Sequence, residues 1–385
     1  MDAPIDRRLV ALFAVACGAS LANIYYAQPL LPAIASAFGV SDGAVAVLVT
    51  IPQIAYAIGL VLIVPLGDLL DRRRLIPVLL AFAGLALAAA AVAPSLAVLT
   101  VALAVGALAS VVVQVLLPFA ALLARPAERG HVVGLVMTGT LAGALLARTL
   151  SGLLAAIGGW RLPFGFAAAL SLAMALVLFR ALPAHRPSTS VRYHRLLASV
   201  GHLIRDEPAL RRRMIYGACG FAGFTLAWTT LPFALSAAPW HLGSGAIGLF
   251  GLAGVAGALC ARGIGRRHDR GQGRGATGAV LLAILLAWPV LALGDHWLPA
   301  MALGLVLLDL GVQGQNVLSQ GVIYALDPGS ASRVTTAYVT SNFAAGALGS
   351  AAGAWAWSLD GWTAVCVAGA VLAAIALAAW AAGTR

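Results

Sequence analysis

The sequence contains no lysine, and only 10% of its 385 residues are charged, compared with roughly a quarter in an average soluble domain. A soluble surface of this size cannot be covered with so little charge, so water is not the main solvent of this protein. The four cysteines lack the spacing of metal ligands, and they fall within apolar stretches, which argues against a disulfide framework or a zinc site. No HExxH, GxSxG or phosphate-binding loop occurs, so catalysis is disfavoured and no cofactor or metal is predicted.

Apolar residues dominate instead. They make up 62% of the chain, and the mean hydropathy is +0.97. About 20 consecutive apolar residues suffice to cross a bilayer as a helix, and such stretches recur along almost the whole sequence. We therefore predict an all-α protein embedded in a lipid bilayer, with twelve transmembrane helices at 9–34, 44–66, 75–93, 96–123, 131–157, 162–181, 214–236, 245–264, 276–294, 298–324, 333–355 and 362–382.

The basic residues are all arginine, and their positions explain the net charge of +11. A basic chain can bind nucleic acid, but if the N-terminus is cytoplasmic, 22 of the 24 arginines fall in cytoplasmic segments. The exceptions are Arg161, in a predicted external loop, and Arg148, inside a span. This positive-inside pattern predicts a multi-pass protein of a bacterial inner membrane, with both termini cytoplasmic and no nucleic-acid partner.

The second half of the chain repeats features of the first. A GxxxDR motif follows the second span and returns 198 residues later, after the eighth span, as Gly67, Asp71 and Arg72 and then Gly265, Asp269 and Arg270. Leu-Pro and Gly-Trp pairs recur at offsets of 200 and 202 residues. Such matches at equivalent positions indicate duplication. They predict two six-helix bundles, 1–181 and 214–385, related by a pseudo-twofold axis.

A cytoplasmic linker, 182–213, is predicted between the bundles. Its second part places apolar residues at helical spacing beside arginines, which is typical of an amphipathic helix on an anionic membrane surface. A solvated linker explains the same composition, and both interpretations stay open.

The paired GxxxDR loops, together with the segment NIYYAQPLL at 23–31, make the full chain resemble the major facilitator superfamily, and within it bacterial efflux permeases. The resemblance implies a monomer with a central cavity that opens alternately to the two sides of the membrane. It also implies that the two GxxxDR loops act as gates. The alternative is that their arginines are topology signals only.

Two charged residues lie deep inside predicted spans, near the middle of the bilayer, where a charge is costly and by default marks a functional site. Asp309 and Arg148 are about ten and nine residues from the predicted external ends of their spans, roughly 15 Å of helix, so their depths match. By the resemblance, span five faces spans eight and ten, and we expect an ion pair between the bundles in at least one state. A proton-linked switch, an anchor for an anionic substrate at Arg148, and a static structural pair all remain open.

By the same resemblance, spans one, four, seven and ten line the cavity. Their polar and aromatic residues are the candidate substrate contacts: Asn23, Tyr25, Tyr26, Gln28, Gln114, Trp228, Thr229, Gln313 and Asn316. Hydrogen bonds between helices explain such groups as readily as a ligand does. The set favours a small, moderately polar or amphipathic substrate.

These observations predict a secondary active transporter that exports a small organic solute in exchange for protons. An importer, exchanger or uniporter of a small organic anion bound by Arg148 is the alternative. A Gly-Pro pair typical of antiporters in this superfamily is replaced here by Ala147-Arg148. A channel is disfavoured, because the sequence has neither a ring of like charges nor a filter-like segment.

Overall fold

The computed structural model describes residues 6–126, 128–183, 193–257, 273–326 and 331–383, and these residues are almost entirely helical. The α-helices are Arg7–Ala22, Leu31–Phe38, Asp42–Val45, Val47–Leu62, Arg72–Ala91, Leu96–Ala109, Val112–Leu123, Arg129–Gly158, Leu162–Ala181, Tyr193–Asp206, Pro208–Ser236, Ser244–Leu249, Gly273–Leu293, Leu298–Leu326 and Ala331–Ala382, with 3-10 turns at Gln28–Leu30 and Val64–Asp68.

Within the described residues, each of the twelve predicted spans coincides with helix over all or part of its length. Within the described ranges, nine helices are long and apolar enough to cross a membrane. One of them, Arg333–Ala382, contains both predicted spans eleven and twelve. Its backbone leaves the helical conformation at Asp360 and Gly361, and this break separates the two spans. Gly361 has φ of +51°, in the left-handed region that glycine enters without strain. The eighth span is described over Ser244–Gly257.

The first span is not the continuous helix predicted over 9–34. It consists of Arg7–Ala22 and Leu31–Phe38, joined by a turn that ends in the 3-10 segment Gln28–Leu30. Pro29 and Pro32 provide the reason, because proline has no backbone N–H and its ring excludes the preceding helical turn. The break places Gln28 within the membrane core of the protein, buried to 1% exposure.

The loops divide between two faces of the bundle. We call the face that carries the start of span one, the Gly67–Arg72 turn and the helix Tyr193–Asp206 the linker face. The face that carries the turns at 39–41 and 237–243 is the opposite face. The linker helix touches both halves: the Tyr193 hydroxyl donates to the Leu62 carbonyl of the first half at 2.7 Å, and its apolar side packs against the second half.

The two halves meet along two helix pairs. Span five packs on span eight, and span eleven packs on span two. A Cβ built at Gly248 would lie only 2.8 Å from the Arg148 carbonyl oxygen and 2.9 Å from the Gly152 Cα, so the two backbones touch. Spans five and eleven are equivalent under the sequence repeat, as are spans two and eight. The interface therefore has the pseudo-twofold symmetry that duplication predicts.

Candidate functional site

A central cavity of about 420 Å³ lies between the two halves. Spans one, two, four and five contribute one wall, and spans seven, eight, ten and eleven contribute the other. The lining residues are Leu21, Tyr25, Tyr56, Gln114, Met137, Thr138, Leu141, Ala142, Ala144, Leu145, Arg148, Phe221, Phe224, Val255, Asp309, Val312, Gln313, Asn316, Val317, Gln320, Tyr338, Val339, Asn342 and Phe343. This volume lies in the range of pockets that hold small organic ligands, ~300–1,000 Å³.

The cavity occupies the half of the protein nearer the linker face, and contacts between the halves close the opposite side. Trp357 Nε1 donates to Asp42 Oδ2 at 3.1 Å near the opposite face. Further from the opposite face, toward the cavity, the hydroxyl oxygens of Thr50 and Ser350 are 3.0 Å apart. At the cavity itself, the rings of Tyr56 and Phe343 are in contact, tilted by 41° with their centroids 4.3 Å apart. In this state the cavity is therefore closed toward the opposite face.

Both intramembrane charges line this cavity, and both are almost completely buried. Arg148 is 2% exposed and Asp309 is 1% exposed. They form no ion pair in this state, and among the described residues neither oxygen of the Asp309 carboxylate makes a hydrogen bond of good geometry, although the Trp228 side chain lies beside it. The expected ion pair therefore remains a prediction for another state of the protein.

Arg148 is bound elsewhere. Its Nε donates to Gln28 Oε1 at 2.6 Å. Its guanidinium carbon lies 4.1 Å from the Trp228 ring centroid, 4.6 Å from that of Tyr25 and 5.2 Å from that of Phe224. Such aromatic faces attract a cation, most strongly when it is desolvated. Spans one and seven thus hold the guanidinium together, one from each half.

The glycines of span eight make room for both charged residues. A Cβ at Gly251 would lie 3.1 Å from the Arg148 Cβ, and one at Gly254 would lie 3.3 Å from Asp309 Oδ1. The sequence shows the glycine series, and packing alone explains glycines in a membrane helix. The structure adds that this glycine face touches the two spans that carry the charges.

The predicted substrate contacts divide into two groups. Tyr25, Gln114, Gln313 and Asn316 line the cavity. The others make contacts within the protein in this state: Gln28 and Trp228 contact Arg148, Asn23 donates to Ser110 at 3.2 Å, Thr229 donates to the Thr225 carbonyl at 2.6 Å, and Tyr26 accepts at its carbonyl from Ser151 at 2.6 Å. Their contact with substrate remains a prediction.

The cluster around Tyr338 joins one predicted contact, Asn316, to Gln315 and Ser319, which were not among the predicted site residues. The Tyr338 hydroxyl donates to Asn316 Oδ1 at 2.7 Å and accepts from Gln315 Nε2 at 3.2 Å, and Gln315 also donates to Ser319 Oγ at 2.9 Å. Tyr338 is separated from Gln315 by 23 residues and lies on another helix, so no local spacing could have revealed the cluster.

The first GxxxDR loop is tied to its own half. Arg72 donates from Nε to the Gly67 carbonyl at 2.7 Å and from NH2 to Asp68 Oδ1 at 2.8 Å. Asp71 caps the third span by accepting from the Arg73 N–H at 2.9 Å. In this state Asp71 therefore stabilises a helix terminus, and its gating role remains a prediction. Gly265, Asp269 and Arg270 of the second loop lie outside the described residues, as does Cys260.

Two helical halves that enclose a central cavity, with buried charges at its wall, are the architecture of a membrane transporter. The chain belongs to the Major Facilitator Superfamily, whose family model matches residues 10–350. It is therefore a transporter of some solute across a lipid bilayer, and not an enzyme. Its twelve-span, two-bundle fold, predicted from the repeat and the resemblance, is confirmed.

The chain is similar to bacterial proteins over nearly its full length. It is 44% identical over 374 residues to the "Uncharacterized transporter YgaY" of Escherichia coli O157:H7, covering 97% of this chain and 94% of that protein. It is 34% identical over 369 residues to the "Probable transporter SCO4007" of Streptomyces coelicolor, covering 95% and 85%. Among solved structures, it resembles a bacterial homolog of the human lysosomal transporter Spinster with a TM-score of 0.78 and 14% identity, covering 100% and 98%. The structural likeness concerns the fold.

Proposed function

We propose that this protein is a proton-coupled exporter of a small organic solute, and that Asp309 and Arg148 form its coupling switch. By the arginine distribution, the linker face is cytoplasmic, so the described state has its cavity on the cytoplasmic side and a closed periplasmic side. Alternating access then requires the contacts between spans two and eleven and between spans five and eight to open.

The observation that carries this proposal is the environment of Asp309. Its carboxylate is 1% exposed, and in the described part of the chain neither oxygen makes a hydrogen bond of good geometry, with the Trp228 side chain alongside. An isolated carboxylate in such a place is neutralised by binding a proton, because an uncompensated charge is far more costly to bury. In this state Arg148, which lines the cavity, is bound to Gln28 instead.

The exchange of partners gives the coupling. When Arg148 leaves Gln28 and pairs with Asp309, the carboxylic acid ionises, its proton passes to water in the open cavity, and the O–H bond is replaced by an ion pair. When the pair separates, the carboxylate takes up a proton again. Net export follows if the solute leaves the cavity on the side from which the proton enters.

Flux in proteoliposomes tests this proposal. The purified protein is reconstituted, candidate solutes are loaded, and efflux is measured with and without an imposed pH gradient for the wild type and Asp309→Asn. Gradient-driven flux should disappear in the variant while solute exchange at equal pH persists. Asp360→Asn is the matched control, because it removes an exposed carboxylate at the opposite face. Gradient-driven flux that survives in Asp309→Asn would refute coupling through this residue.

A second function is favoured by one observation. Arg148 lines the cavity, and its NH2 group has no hydrogen-bond partner in the described residues. This group would suit the carboxylate of an organic anion, with import, exchange or uniport as the process. Arg148→Gln separates the two functions: it should abolish binding of anionic solutes if Arg148 is an anchor. If Arg148 is a switch, binding should persist and only the response to the pH gradient should be lost.

A further inference from the structure

A shallow groove lies on the outer surface of the first half. It runs between spans three and four, along the helices Arg72–Ala91 and Leu96–Ala109, and has a volume of about 600 Å³. None of its residues lines the central cavity, so it is a separate feature of the protein surface. The residues that line it are all apolar: Phe82, Leu85, Ala86, Ala89, Ala97, Val98, Val101, Ala102 and Val105.

The groove has a floor of small side chains and a rim of large ones. Ala86 and Ala102 on the floor are 8% and 7% exposed, whereas Phe82, Leu85 and Val101 on the rim are 58%, 61% and 64% exposed. Spans three and four cross the hydrocarbon core of the bilayer, so the exposed rim faces lipid and not water. Only a component of the bilayer or another membrane-embedded helix can therefore enter the groove.

The length of the groove favours a lipid chain over a partner helix. Its lining extends from Ala89 to Phe82 on span three and from Ala97 to Val105 on span four, roughly 11 Å at 1.5 Å per residue. One leaflet contributes about 15 Å of the hydrocarbon core, whereas a helix that crosses the bilayer needs about 30 Å. The groove thus fits an acyl chain from the leaflet at the opposite face, where the turn 92–95 lies.

An arginine lies at this end of the groove. Arg161 NH2 donates to the carbonyl of Ala93, in the turn that joins spans three and four, at 3.2 Å. Ala89 and Ala97 at the end of the groove are each four residues from Ala93, about one helical turn. The guanidinium carbon also lies 4.1 Å from the ring centroid of Trp160, which is itself buried. The guanidinium is therefore held at the level of the lipid headgroups, beside the groove.

The charge of Arg161 has no explanation in membrane topology. It is the one arginine of the sequence in a predicted external loop, where the positive-inside rule gives no reason for it. No carboxylate pairs with it among the described residues, and its bond to Ala93 uses one of five N–H donors. A guanidinium with donors to spare binds phosphate oxygens in bidentate fashion. Phosphate is the anionic group that a bilayer offers at this depth.

We infer that the groove between spans three and four is a binding site for an anionic phospholipid of the leaflet at the opposite face. The phosphate lies on the Arg161 guanidinium, and one acyl chain lies along the alanine floor. A lipid with net negative charge is favoured, because an ammonium group in the headgroup would offset the charge that attracts the guanidinium. This site is independent of the proposed transport function.

Photo-crosslinking tests the site. The full chain is reconstituted in nanodiscs of phosphatidylcholine with increasing amounts of phosphatidylglycerol that carries a diazirine in its acyl chain, and labelled peptides are identified by mass spectrometry. Labelling of residues 82–105 should saturate at a mole fraction at least about tenfold lower than labelling of residues 162–181, which also face lipid. Diacylglycerol with the same diazirine chain lacks the phosphate and should show no such preference.

Variants of the arginine test the headgroup contact. Arg161→Gln should raise the half-saturating mole fraction of the phosphatidylglycerol probe about tenfold and leave the diacylglycerol probe unchanged. Arg161→Lys keeps the charge without the bidentate geometry, so it should fall between the two. Arg180→Gln is the matched control, because it removes an exposed arginine from the other end of span six.

Filling the floor tests the acyl-chain contact, and this variant serves if Arg161→Gln does not fold. Ala102→Leu should lower labelling of residues 82–105 by the phosphatidylglycerol probe about tenfold. Ala173→Leu is its control, because it adds the same atoms at an exposed position of span six, outside the groove.

Three results would overturn the inference. The first is labelling of residues 82–105 that is absent or no stronger than that of residues 162–181. The second is an equal effect of Arg161→Gln and Arg180→Gln, or of Ala102→Leu and Ala173→Leu. The third is an equal loss of both probes in Arg161→Gln, because Arg161 would then only stabilise the turn at Ala93.

Discussion

The close approach of spans five and eight should decide which face of the protein is open. In the described state a Cβ at Gly152 would meet the Ser244 carbonyl oxygen and lie 2.8 Å from the Gly248 Cα. Both are backbone atoms, so no side-chain rotation can relieve the overlap. Gly152→Val should therefore destabilise the state that is closed at the opposite face and favour the state in which these helices separate.

The size of the effect follows from the cost of overpacking. Extra carbon atoms in a closely packed site typically cost about 1–3 kcal/mol. If that cost falls on the closed state only, the ratio of open to closed molecules rises about 5- to 150-fold. The change should leave the fold intact, because the overlap lies between the halves and not within one of them.

The assay uses a buried reporter on the other helix pair. Ser350 is 0% exposed and its hydroxyl contacts Thr50 across the interface. In a background without the native cysteines, Ser350→Cys should react slowly with a membrane-impermeant maleimide, and Gly152→Val should speed this labelling by the same 5- to 150-fold, roughly.

A matched control lies on the same helix. A Cβ at Gly134 would meet nothing within 4 Å, so Gly134→Val makes the same change of residue without the overlap. It should leave labelling of Ser350→Cys unchanged. Equal acceleration by both variants, or none by Gly152→Val, would refute the argument that this contact seals the opposite face.

Three further predictions concern single contacts. Gln28→Leu removes the hydrogen bond to the buried Arg148 and should lower the thermal unfolding midpoint by the equivalent of about 1–3 kcal/mol. An unchanged midpoint would show that the aromatic rings alone stabilise the buried guanidinium. Asp71→Ala removes a helix cap worth about 1 kcal/mol, which Asp71→Ser should largely restore; equal loss in both variants would contradict a capping role. Trp357→Phe removes the hydrogen bond to Asp42 and should accelerate maleimide labelling near the opposite face by less than about tenfold. No acceleration would show that this hydrogen bond does not help to close the opposite face.

The spans could be predicted from sequence because membrane crossing depends on local composition. Long apolar runs identify helices without knowledge of what they contact, and Arg148 and Asp309 stand out in such runs for the same reason. The break in span one was missed, although Pro29 and Pro32 were visible, because apolar residues continue through the turn. Hydropathy reports where a chain is buried, and it does not report the path of its backbone.

The partners of the site residues could not be predicted. Gln28 lies 120 residues from Arg148 along the chain, and the turn that ends span one decides where its side chain points. Asn342 is one of many polar residues in apolar helices, each of which can bond to a neighbouring helix or face a ligand. Only the packing of spans seven, ten and eleven shows that its amide oxygen has no hydrogen-bond partner among the residues that the structure describes.

The same face of span eight connects the closed gate to the charged site. Gly248 contacts span five at Gly152, whereas Gly254, six residues further along, contacts Asp309. Arg148 lies on span five between these levels. If spans five and eight separate to open the opposite face, the distance between Arg148 and the carboxylate must change with them, because span eight packs on both. Protonation of Asp309 and opening of the gate are then two consequences of one helix movement, and Gly152→Val should alter gradient-driven flux even though it touches neither charge.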